Sequence, residues 1–93
     1  MKELNFYLIS FQKDKEHDVD ECIQNTFSNH YKITKNSFIV RTTKDQTQSR
    51  EILDKIFLEK DQYFIVKVDI DTMSGRLWET KGLEKWIVLS KKK

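Results

Sequence analysis

Residues 4–11 read Leu-Asn-Phe-Tyr-Leu-Ile-Ser-Phe, a run too short and too aromatic for a helix. Read as a strand, it puts Leu4, Phe6 and Leu8 on one face and Tyr7, Ile9 and Phe11 on the other. A strand that is apolar on both faces belongs inside a sheet with something covering each side. The remaining residues must supply both its neighbours and its cover.

They have little material to do so. Ninety-three residues make one domain, 1–93, with a single thin core. A hydrophobic share of 38% with 12% aromatic residues excludes a disordered chain. There is no proline, and glycine occurs only at Gly75 and Gly82, so linkers and long loops are not expected. No apolar run approaches the roughly 18 residues that cross a bilayer, and no membrane partner is expected. The start, Met1-Lys2-Glu3-Leu4, has no secretory apolar region, and Cys22 is alone. Both features point to the cytoplasm.

Asp18 and Glu21 have capping-box spacing ahead of Val19, Cys22, Ile23, Thr26 and Phe27, which repeat at helical intervals. A first helix is expected over 18–29, with Cys22 as a small core residue. Tyr31-Lys32-Ile33-Thr34 and Ser37-Phe38-Ile39-Val40-Arg41-Thr42 read as strands joined by a tight Lys35-Asn36 turn, since asparagine tolerates positive φ. Asp45 or Thr47 caps a second helix, with Ile52, Leu53, Ile56 and Phe57 as its stripe. A fourth strand runs from Tyr63 to Ile70. Leu83, Trp86 and Ile87 fit either a short helix or a last strand.

The order β-α-β-β-α-β with right-handed crossovers gives strand order 4-1-3-2 and both helices on one face. The expected class is α+β, a ferredoxin-like sandwich with a short C-terminal extension. Its open face would carry Tyr7, Ile9, Phe11, Ile39, Tyr63 and Ile65, more apolar surface than water-facing sheets show. A second subunit, the C-terminal segment or stacked bases would cover it. In a homodimer Tyr7, Ile9, Phe11, Tyr63 and Ile65 are the expected contacts.

Charge is uneven: net −3 over residues 1–30, +3 over 31–60 and +2 over 61–93. A pI near 8.6 permits nucleic-acid binding without demanding it. Arg41, Lys44 and Arg50 gather around the entry to the second helix, where a backbone phosphate can dock; solvated surface charge is the plainer reading. Asp69 and Asp71, two apart at the end of the fourth strand, have a spacing that can hold Mg²⁺ through water, or are simply solvated. His17 and His30 lie at opposite ends of the expected first helix, about 20 Å apart, too far to share a metal. There is no Gly-rich phosphate loop and no paired cysteine, and no cofactor is expected. The third strand lacks both glycines of the RNA-recognition signature.

Tyr7-Leu8-Ile9-Ser10-Phe11, Ser37-Phe38-Ile39-Val40-Arg41-Thr42 and Asp61-Gln62-Tyr63-Phe64-Ile65-Val66 together resemble the small ferredoxin-like CRISPR-adaptation proteins, the non-integrase partner of the spacer integrase, and their stand-alone relatives. The resemblance spans about residues 5–70. It implies a homodimer in antiviral defence, and a nuclease whose metal is held by an aspartate ending strand one. Here that position is Gln12, and a neutral amide does not offset Mg²⁺ charge as a carboxylate does. The expected function is therefore a catalytically silent dimeric module acting on nucleic acid or a defence-system protein. The alternatives are a metal-dependent nuclease using Asp14, or Asp69 with Asp71, and a small mobile-element inhibitor or adaptor.

Overall fold

The computed structural model describes residues 4–14, 18–69 and 80–91. In chain order these hold β1 (Asn5–Gln12), α1 (Val19–Thr26), β2 (Asn29–Thr34), β3 (Ser37–Thr42), α2 (Gln46–Ile56), β4 (Gln62–Lys67) and α3 (Thr80–Lys91). The fold is α+β, three helices on one four-stranded antiparallel sheet ordered β2-β3-β1-β4, which read from the β4 edge is 4-1-3-2. The two-sided strand is central: Ile9 lies opposite Phe38 on β3 and opposite Ile65 on β4. Among the described residues no helix is long and apolar enough to cross a membrane.

Both early helices start on aspartate caps. The Asp18 carboxylate accepts the Glu21 N–H at 2.9 Å, and this bond holds the Asp18 carboxyl below its usual range. Asp45 accepts the Gln48 N–H at 2.8 Å while Gln48 Oε1 accepts the Asp45 N–H at 3.0 Å, a complete capping box. Each helix buries one row spaced by four: Val19, Ile23 and then Phe27 for α1; Ser49, Leu53 and then Phe57 for α2. These rows meet Tyr7, Ile9 and Phe11 of β1, Phe38 and Val40 of β3, and Ile65 of β4 in a single core. Ile52 and Ile56 are half-buried beside it.

That arrangement corrects several expectations. Cys22 is exposed, because it lies about 100° around the helix from the centre of the Val19–Ile23–Phe27 row. The first helix ends at Thr26, not 29. Phe27 turns extended (φ −111°, ψ 91°) and sends its ring into the core. His30 therefore belongs to β2, opposite Val40, with Nδ1 2.9 Å from the Phe27 carbonyl. The Lys35-Asn36 turn uses no positive φ. A register irregularity between Lys32 and Thr34 absorbs the twist instead, and Thr34 Oγ1 meets Ser37 Oγ at 2.6 Å. β4 is shorter than expected, ending at Lys67; Ile70 lies outside the described residues.

The largest correction concerns the sheet faces. Tyr7, Ile9, Phe11 and Ile65, expected on the open face as dimer contacts, are 1%, 0%, 5% and 8% exposed beneath the helices. Tyr63 is on the same side, half-buried, with its ring stacked on Phe57 at 4.9 Å. Alternation separates the two faces of β1 but does not say which receives the crossover helices, since both are apolar. Of the expected open-face group only Ile39 points the other way, and it is fully buried. The C-terminal segment, whose type the sequence left open, is a helix on that second face: Trp86 meets Phe6 edge-on at 6.1 Å and Tyr31 at 6.4 Å. Its cover does not hide the β4 margin, where Phe64 and Val66 are 56% and 42% exposed.

Three stability outcomes follow. In urea unfolding, Ile9→Ala should cost about 2–5 kcal/mol, whereas Leu58→Ala, at a side chain 52% exposed, should change stability by less than about 1 kcal/mol. The hydroxyl of fully buried Ser49 has no hydrogen-bond partner. Ser49→Ala should therefore stabilise the fold by about 1 kcal/mol, since the core loses a desolvated hydroxyl and α2 gains a better helix former.

Candidate functional site

Two ends of the sheet carry the residues singled out by sequence. At one end β1 finishes on Gln12, exposed and opposite Gln62 of β4. The chain beyond is fastened by Asp61, whose two carboxylate oxygens accept the Asp14 N–H and the Leu58 N–H, each at 2.7 Å. Asp61 thus joins the loop after β1 to the loop before β4. Gln12 and Asp14 line one hollow with Lys13 and Lys60. A second hollow beside Gln12 holds Lys13, Lys32 and Lys35, with Asp20 paired to Lys32. Among the described residues no three His, Cys, Asp or Glu side chains converge. The Lys13 and Lys60 ammonium groups share the Asp14 hollow, and positive charge there opposes a hard divalent cation. Asp69 is exposed two residues past the end of β4, while Asp71 and His17 lie outside the described residues.

The opposite end of β1 begins at Asn5, paired with Thr42. Seven strand steps, about 23 Å, separate this end from Gln12. Here the Lys44 carbonyl accepts two side-chain bonds, from Asn5 Nδ2 at 3.1 Å and the Tyr7 hydroxyl at 3.2 Å. Its own N–H donates to Thr42 Oγ1 at 3.1 Å. The Lys44 backbone is thus tied to the core's rim, and its Nζ stands 5.9 Å over the Phe27 ring. Arg41, half-buried on the second face of β3, has Phe6 and Asn29 as its cross-strand neighbours. Arg41 and Lys44 line one hollow together with Ser28, Asn29 and Thr43.

The structure therefore brings Arg41 and Lys44 together and leaves Arg50 apart. Arg50 is exposed on α2, at the side where Tyr63 donates a 2.5 Å hydrogen bond to the Asp54 carboxylate. Arg41 and Lys44 lie at the end of the sheet opposite Gln12. Ser28, Asn29 and Thr43 were missed in the sequence because two turns, α1 to β2 and β3 to α2, deliver them from separate stretches. Comparisons of the chain with family models, with curated proteins and with solved structures gave no match.

Burial, and then the bond to Asp54, raise the Tyr63 hydroxyl above the usual tyrosine range; Arg50 pulls the other way without reversing the shift. The folded state therefore favours the neutral phenol. Its contribution to stability is complete below pH ~10 and is lost as pH rises through the folded pKa. In a phenolate absorbance titration, Tyr63→Phe should remove a step that lies above the usual tyrosine range.

Proposed function

We propose that this chain is a non-catalytic, dimeric nucleic-acid-binding module of the cytoplasm, with a ferredoxin-like fold related to the small CRISPR-adaptation proteins. The observation that carries the reading is Gln12. It stands exposed at the end of β1, where the resembling family places a metal-binding aspartate, with lysines, Asp14 and the Lys32-paired Asp20 lining the hollows beside it. Two such amides across a dimer axis add no negative charge for Mg²⁺ or Mn²⁺. The ferredoxin-like assignment is supported by the chain order of the elements and by the sheet order read from β4. A second copy is supported by the β4 margin, an edge strand with Phe64 and Val66 exposed. The dimer contacts are accordingly sought there and not at Tyr7, Ile9, Phe11 or Ile65. Nucleic acid as the target is supported by the Arg41–Lys44 hollow, with Arg50 as an outlying contact.

Purified chain should bind single- and double-stranded nucleic acid weakly, with an affinity that falls by a log–log slope of about 0.9 per duplex phosphate contact as salt rises. With Mg²⁺ or Mn²⁺ the nucleic acid should stay intact. Sedimentation at micromolar concentration should give a dimer that a Phe64→Asp, Val66→Asp variant converts to monomer. Cleavage by the wild type that is abolished in Asp14→Ala would overturn the non-catalytic reading. A monomer at every concentration would overturn the dimeric one.

A further inference from the structure

We infer that the hollow between the α1–β2 and β3–α2 turns is a site for a single phosphate group, held by Arg41 and Lys44 and completed by the hydroxyls of Ser28 and Thr43. The inference rests on the nucleic-acid reading and deepens it. It reduces three sequence candidates to two, and adds groups that neither composition nor spacing indicated.

Arg41 and Lys44 are both half-buried, and among the described residues neither pairs with a carboxylate. The cross-strand neighbours of Arg41, Phe6 and Asn29, are uncharged. Among the described residues the Lys44 ammonium group has the Phe27 ring beneath it, a contact worth much less than an ion pair when partly exposed. Two partly desolvated cations that line one hollow repel each other, and an anion bound in that hollow relieves the repulsion and the lost hydration together.

A guanidinium fork, an ammonium and two hydroxyls offer more donors than the two oxygens of a carboxylate can accept, and from more directions than its plane contains. A tetrahedral phosphate takes bonds from all of them, the guanidinium bidentate and the ammonium as a point charge. The hollow, about 340 Å³, is near the lower bound of the roughly 300–1,000 Å³ common for ligand pockets. The Asn5 and Tyr7 bonds to the Lys44 carbonyl fix the backbone that carries this cation, so binding has to order only its side chain.

The phosphate can come from a nucleic-acid backbone or from free phosphate, and one titration series separates these. Amide resonances of the full chain are followed with inorganic phosphate, with sodium chloride at matched ionic strength, and with a short single-stranded DNA. Phosphate and DNA should both move the Ser28, Asn29, Thr43 and Lys44 amides, and chloride should not. Arg41→Ala with Lys44→Ala should weaken both ligands at least about tenfold, while Arg50→Ala should leave phosphate binding unchanged. Each variant's undisturbed core resonances (Ile9, Phe38, Leu53) establish that it has folded. Phosphate binding here without DNA binding supports the site and ends the nucleic-acid reading. DNA binding that spares these amides and survives the double substitution overturns the site and leaves that reading standing. Equal shifts with chloride, or none with either ligand, overturn the site.

Discussion

Ile9 between Phe38 and Ile65 is the contact on which the rest of the molecule depends. Through it, one strand holds both halves of the sheet and the roof that α1 and α2 make over them. Lateral backbone bonding to β3 and β4 satisfies the polar groups of β1, so its side chains can be apolar on both faces without leaving buried donors behind. The helices then need only one row each. Val19, Ile23 and Phe27 on one, with Leu53 and Phe57 on the other, close over the odd-numbered side of β1. The even-numbered side is left to α3 and Trp86.

Sequence reading recovered what is local. The four strands, the first two helices and the Asp18 and Asp45 caps follow from period and from side-chain chemistry within three residues. What it missed is what depends on partners elsewhere. The face of β1 that meets the helices is undetermined when both faces are apolar, and that one ambiguity misplaced Tyr7, Ile9, Phe11, Tyr63 and Ile65 together. Cys22 was misjudged for a smaller reason of the same kind: a two-turn helix shows its stripe without showing the stripe's centre. Trp86 alone did not reveal whether its segment is helix or strand, since its partners Phe6 and Tyr31 lie more than fifty residues away.

The candidate sites divide along the same line. Gln12 and Arg41 could be placed from the strands that carry them, one at a strand end and the other inside β3. Neither Asp61 as a clamp between two loops nor Ser28 and Thr43 beside the basic pair has a signature in its neighbours. Asp61 was noticed only as the residue that introduces the fourth strand, whereas its carboxylate fastens Asp14 and Leu58. Polar side chains that bind backbone across loops are written in the fold, not in the spacing.

The central position of β1 also sets the order in which the protein can be made. Ile9 is synthesised before both of its partners: Phe38 lies 29 residues behind it and Ile65 lies 56 behind. At about 5–20 residues per second, the second partner is not synthesised until about 3–11 s later. For that interval a strand greasy on both sides, with no proline or charge within it, has no finished sheet to enter. Such a long-range architecture folds slowly for its size. The segment that organises the native state is thus also an aggregation hazard of the nascent chain, and a holding chaperone would find a binding site in residues 4–11.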